Sequence, residues 1–325
     1  MLVRHQLPAI SDRMLGRLVL GLALVLVIGI PAFAAYYYFD RHPDPGPSLA
    51  DRTIASAEAA VRAQPSDTVA RNALAAAYVR AKRYEDGVAQ FTEVLKLQPD
   101  NRAALLGRGL AYRYSDQPIL ARADFAQLIE LAADGEMAHV DPQLEQAYYQ
   151  VGAIDLEQGD AAAAVPSLEA ALRIDGGDAD ALYAYGMALV AVGDAEKGVA
   201  ALRRAVAFVP TGWCEPYQGL VTGYNALASA GGAEWATGMV AFCEGQLAAA
   251  RQLLEPLQAG SFAVDAWLGL ALVSSAEGDP QAAATYYGKV LDQDPQNTSA
   301  LIGIGQLGGA DAHAGLPTIA PDGSR

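Results

Sequence analysis

The apolar positions of residues 68–101 recur at helical spacing. Leu74 and Tyr78 stand four apart and so share one face of a helix. Val88, Phe91 and Leu95, with Val94 beside them, follow i, i+3, i+7 spacing and define a second helix. Ala75 and Gly87 are small where the two would cross, which lets the backbones approach. Pro99 stops the second helix, because its ring carries no N–H and biases the preceding residue away from the helical region. The stretch predicts a helix hairpin. One hairpin cannot bury both of its faces, so neighbouring segments must continue the pattern.

They do so along most of the chain. Residues 51–65 read as a lone second helix, with Ala57, Ala60 and Val61 inward and Pro65 as its stop. In 102–135, Leu105, Gly109, Tyr112, Ala121, Phe125 and Leu128 fall at the offsets of 68–101, and Ala133 replaces the proline. Residues 134–141 then interrupt the period. It resumes in 145–178 with Tyr148, Gly152, Ala164 and Leu168; Pro166, near the start of the second helix, predicts a kink rather than a break. It continues in 179–212 with Leu182, Gly186, Gly198, Leu202 and Pro210, and in 264–297 with Trp267, Ala271, Ala283, Tyr287 and Pro295. Residues 213–260 are irregular. Tyr217, Leu220, Val221 and Tyr224 make one helix face with no standard partner helix after it; Gly231 and Gly232 lead into 234–243, and Gly238, Ala250 and Leu254 regain the offsets only loosely. Residues 298–307 read as a capping helix. The tail 308–325, rich in Gly, Pro and Ala without periodicity, is expected to be disordered.

A 34-residue order of large, small, large, small and proline resembles the tetratricopeptide repeat, and the resemblance covers residues 51–307. It implies an all-α fold, a right-handed superhelical solenoid of helix hairpins. In that family the first helix of each repeat lines the concave surface. By this resemblance the inward residues include Asn72, Val79 and Arg80; Leu106, Leu110, Arg113 and Tyr114; Gln146, Tyr149 and Glu157; Asp180, Tyr183 and Met187; and Leu268 and Leu272. The candidate protein-binding groove is Asn72, Arg80, Leu106, Arg113, Tyr114, Tyr149, Tyr183 and Met187. Tyrosine offers a large rigid contact with a polar tip, which suits peptide recognition. Some family members clamp a peptide C-terminus with lysines and asparagines. Ala76 and Leu110 stand where clamp side chains would be needed, so that activity is not carried over.

Ahead of the repeats, residues 18–39 carry no charge and are long enough to cross a hydrocarbon core of about 30 Å as a transmembrane helix. Arg4, Arg13 and Arg17 precede them against Asp12 alone, which places residues 1–17 in the cytoplasm and the repeats outside. Tyr36, Tyr37, Tyr38 and Phe39 would form the outer aromatic belt. Ala32-Phe33-Ala34 also reads as a leader cleavage motif after a shorter apolar run, so an uncleaved anchor and a removed leader both stay open. Either way the repeats are exported. Residues 40–50 form a proline-rich linker.

Composition narrows the chemistry. Hydrophobic residues make up 52% of the 325, much of it alanine, which favours helices packed closely. A net charge of −15 argues against nucleic acid as a partner. The four histidines, His5, His42, His139 and His313, all lie outside the repeats. No CxxCH, phosphate-binding glycine loop, HExxH or GxSxG occurs, so no cofactor, metal, small-molecule substrate or enzymatic activity is expected. Cys214 and Cys243 both fall in the irregular part; a disulfide and two free thiols are equally open. The expectation is a membrane-anchored, exocytoplasmic adaptor or assembly factor that binds a protein or peptide. The layout is also similar to the repeat domains of c-type cytochrome maturation factors, and a structural scaffold of a cell-envelope complex is a further alternative.

Overall fold

The computed structural model describes residues 12–41, 48–209 and 211–307, and among these every regular element is helical. The expected linker residues 42–47, Pro210 and the tail 308–325 lie outside the described residues, as do Arg4, His5, His42 and His313. Helix α1, Asp12–Arg41, extends beyond residues 18–39 at both ends and runs through Pro31. Its stretch Leu20–Tyr38 has a mean hydropathy of 2.1 and none of it is buried.

Helix α2, Leu49–Ala63, starts on a capping box. The Ser48 hydroxyl accepts from the Asp51 N–H while the Asp51 carboxylate accepts from the Ser48 N–H. Four hairpins follow. Their first helices are α3 (Thr68–Arg80), α5 (Arg102–Tyr114), α7 (Pro142–Glu157) and α9 (Ala179–Ala191). Their second helices are α4 (Tyr84–Leu97), α6 (Pro118–Ala132), α8 (Ala161–Ile174) and α10 (Ala195–Phe208). Pro166 sits inside α8 without ending it. The insertion forms a short 3-10 turn, Ala138–Val140, packed on α8, and Asp141 at its end caps α7.

One packing rule recurs. A small residue on the first helix lies under a large one sixteen positions later on the second. A Cβ on Gly109, Gly152 or Gly186 would come within 2.6, 2.5 and 2.6 Å of Phe125, Leu168 and Leu202. A reciprocal small residue on the second helix lies under one eight positions earlier. Gly87 meets Val79 at 2.8 Å and Gly198 meets Val190 at 2.6 Å. These close approaches are what the alternation of large and small residues encodes.

The second half departs from the expected break. After α11 (Glu215–Ala226) comes a full helix, α12 (Ala230–Cys243), then α13 (Leu247–Leu254), α14 (Ala263–Ala276), α15 (Pro280–Gln293) and the cap α16 (Thr298–Gln306). Gly231 and Gly232 lie inside α12 rather than breaking the chain before it, because a Cβ on Gly232 would sit 2.5 Å from the Tyr224 ring of α11. They are there for close packing. Helix α12 obeys both halves of the rule at once. Gly232 lies eight residues after Tyr224, as on a second helix. Gly238 lies sixteen before Leu254, which a Cβ would approach to 2.9 Å, as on a first helix.

The neighbours agree. First helices touch the next first helix (α3 with α5, α5 with α7, α7 with α9), and so do α9 with α11 and α12 with α14. The α11–α12 and α12–α13 turns are of one kind, each with a central residue in the left-handed region, Ala228 at φ +53° and Gly245 at φ +75°. The solenoid therefore slips by one helix at α12, which closes one hairpin and opens the next. An aromatic cluster fills the slip. Trp235 of α12 packs edge-on to Tyr217 and Tyr224 and stacks on Phe262. The Arg203 guanidinium of α10 lies 5.1 Å from the Trp235 ring and donates to Tyr224 and to Asp265 of α14.

Candidate protein-binding surface

The first helices are held in line at their N-terminal ends by a ladder of side chains, each reaching the residue that caps the next first helix. Asn72 Nδ2 donates to Asn101 at 3.4 Å, Arg102 pairs with Asp141, and Glu145 shares a hydrogen bond with Asp178. Asn101, Asp141 and Asp178 each also accept from backbone N–H groups at the start of the helix they cap. Burial and the Asp178 carboxylate raise the Glu145 carboxyl to about 7, with Asp175 adding to the shift. Asn72 Oδ1, Arg102 Nε, Glu145 Oε1 and Gln150 Oε1 are shielded and have no hydrogen-bond partner among the described residues.

A second set of contacts runs from the C-terminal ends of α5 and α7, through the middle of α7, to the first turn of α9. Arg113 of α5 donates to both carboxylate oxygens of Glu157 of α7, at 2.6 and 2.8 Å. This hydrogen-bonded fork raises the guanidinium pKa and lowers that of the Glu157 carboxylate. Tyr149 of α7 is half-buried against the α8–α9 core. Burial, reinforced by the charges of Asp180 and Asp178, pushes its phenol up to about 12 while Arg113 opposes the shift. Asp180 of α9 is itself raised by burial and by Asp178. Arg113, Glu157, Tyr149 and Asp180 thus form one electrostatically linked group spanning α5, α7 and α9.

The other expected groove residues have more local settings. Arg80 lines, with Arg52 and Ala73, a shallow groove of about 580 Å³ between α2 and α3. Leu106 is partly buried against the core around Phe125 and Leu105. Tyr114 is exposed and stacks on Tyr84 of α4, with ring centroids 5.7 Å apart. Tyr183 packs edge-on to Trp213 at 5.3 Å. Met187 lies over Gly219 of α11, where a Cβ would come within 2.6 Å of its sulfur.

Two ion pairs were not visible in the chain's local pattern. Asp124 and Asp155 are 5% and 4% exposed. Each accepts a two-pronged bond, from Arg108 and Arg122 respectively. Among the described residues no three His, Cys, Asp or Glu side chains converge as a metal site.

Stacked helix hairpins with this large-over-small code define a helical repeat protein. Models of the tetratricopeptide repeat match residues 72–136, 155–222 and 236–298, together more than half of the chain, and the chain belongs to that family. The third match begins inside α12, where the first-helix code resumes. No curated protein matches the chain. Similar solved structures include MamA (residues 41 to the end) from Desulfovibrio magneticus RS-1, at 21% identity and TM-score 0.48, covering 55% of this chain and 96% of that one. YrrB, described as a tetratricopeptide repeat protein with an unusual peptide-binding site, is 14% identical with TM-score 0.42, covering 76% and 96%. PilW, a type IV pilus biogenesis factor, is 19% identical with TM-score 0.43, covering 72% and 97%.

Proposed function

We propose that the chain is a membrane-anchored adaptor whose repeats, on the exocytoplasmic side, bind a segment of a partner protein along the first helices. The family supports a role in protein–protein interaction. The unburied apolar stretch of α1 supports the membrane, as an anchor or as a leader. The arginines before it support export. The observation that carries the binding surface is the linked group Arg113, Glu157, Tyr149 and Asp180. It joins a rigid aromatic ring to charges of both signs across three successive first helices, and such centres dominate affinity at interfaces.

The test is capture of partners from membrane extracts by the full chain, compared with Arg113→Ala combined with Tyr149→Ala. Because Tyr149 also packs, thermal melting of the variant comes first. A variant that melts near wild type and loses its partners supports the surface. A folded variant that keeps every partner moves binding elsewhere on the solenoid. Topology has its own readout: a reporter active only outside the cytoplasm, fused after residue 307, should be active, and an inactive fusion rejects export.

A further inference from the structure

Helices α11 and α12 are antiparallel and joined by the three-residue turn Leu227, Ala228 and Ser229. Counting away from that turn, Cys214 is the residue capping the start of α11 and Cys243 is the last residue of α12. The two helices have 12 and 14 residues. At 1.5 Å per residue both cysteines therefore lie roughly 20 Å from the turn, on neighbouring helices. Both residues keep part of their surface in solvent. Burial, together with the neighbouring Cys214 thiol, holds the Cys243 thiol up at about 12.

We propose that Cys214 and Cys243 form a disulfide that staples the open end of the α11–α12 hairpin, at the point where the repeat register slips. The place is apt. Helix α11 has no second helix of its own other than one that α13 also uses, and α12 meets it through Gly232 under the Tyr224 ring and through Trp235 against Tyr217 and Tyr224, nearer the turn than either cysteine. The oxidant is a disulfide, small-molecule or protein. The Cys214 thiol gives up its proton and its sulfur attacks one of the oxidant's sulfurs; the oxidant's S–S bond breaks, and the leaving thiolate takes that proton as the first thiol. The Cys243 sulfur then attacks the Cys214 sulfur of the mixed disulfide, and the second thiol leaves with the Cys243 proton. One oxidant disulfide becomes two thiols and the two protein thiols become one disulfide. The proposal does not depend on which surface binds a partner.

The experiment uses the full chain in detergent, equilibrated with oxidised glutathione or with dithiothreitol, then alkylated with N-ethylmaleimide. Intact mass should show no alkyl groups after oxidation and two after reduction, with one peptide pair linked through Cys214 and Cys243. Closing a loop of this length should raise the melting midpoint on the order of 10 °C over the reduced chain. The double variant Cys214→Ser, Cys243→Ser should melt at the same temperature with either reagent. Two alkylated thiols after oxidation, two stable glutathione adducts, or a bond between separate chains would each overturn the pairing. A bond that forms without moving the midpoint would overturn the staple.

Discussion

Gly186 of α9 faces Gly198 of α10 at the centre of the fourth hairpin, and replacing it with alanine isolates one contact. The added Cβ would stand 2.6 Å from Leu202 Cγ and 2.9 Å from the Gly198 carbonyl oxygen. Leu202 is fully buried, and the carbonyl is backbone. The two helices must part, at an overpacking cost of about 1–3 kcal/mol. Alanine's helix propensity returns up to about 1 kcal/mol of this, so Gly186→Ala should lose about 1–2 kcal/mol net. Gly305 of α16 supplies the control, since a Cβ there meets nothing within 4 Å. Gly305→Ala should be neutral or gain up to about 1 kcal/mol from propensity alone. For a solenoid of this size 1 kcal/mol corresponds to roughly 2–4 °C in the melting midpoint. Circular dichroism at the helical minimum, scanned with temperature, reads both. A long repeat array need not unfold in one step, so the midpoint rather than an extrapolated free energy is compared. If Gly186→Ala melts at or above both wild type and Gly305→Ala, the close approach of α9 and α10 is wrong.

Two further substitutions probe strain and charge. Ala228 occupies the left-handed region at φ +53°, where Gly159, Gly193, Gly245 and Gly278 stand in the corresponding turns. Ala228→Gly relieves about 1–2 kcal/mol of strain against roughly 0.5–1 kcal/mol of added unfolded-state freedom. The melting midpoint should rise by a few degrees at most, and a fall would reject the turn geometry. Glu145 titrates upward from 4.5 to about 7 on folding, under burial and the neighbouring Asp178 and Asp175. Its contribution is therefore fully present below pH 4.5 and is lost as pH rises through 7. Glu145→Gln, which keeps a donor for Asp178, should stabilise at pH 8 relative to wild type and do so less at pH 4.5. A difference independent of pH would show that Glu145 is not held protonated.

What could be read from the chain was what local spacing encodes. The hairpin of residues 68–101 and the small residues Ala75, Gly87, Gly186 and Gly198 follow from which positions share a helix face. Pairs that depend on which faces meet were hidden. Arg122 reaches Asp155 from 33 residues away and Arg203 reaches Asp265 from 62. No periodicity distinguishes those carboxylates from solvated ones. For the groove, the family's inward positions named Arg113, Tyr149, Glu157 and Asp180. They could not tell that Glu157 would occupy Arg113, nor that Met187 and Tyr183 would be engaged by α11 and Trp213.

The slip at α12 was legible in principle but needed the right unit of reading. A search for whole 34-residue repeats sees a gap at 213–260. A search for the two contacts that make a hairpin, small residue to large at sixteen positions and large to small at eight, finds both satisfied on α12 by Gly238 with Leu254 and by Tyr224 with Gly232. The two glycines stand six residues apart, which on a helix of 3.6 residues per turn places them about 120° from each other around the axis. In an ordinary repeat these two faces belong to different helices. Here one helix carries both, so it must be gripped from two sides, by Tyr224 of α11 and Leu254 of α13, with Trp235 between the Arg203 guanidinium and Phe262. A helix held this way cannot shift towards one neighbour without leaving the other. Both grips depend on glycine and on the Trp235 ring, and the cysteine pair lies beyond them, at the end of the α11–α12 hairpin away from its turn.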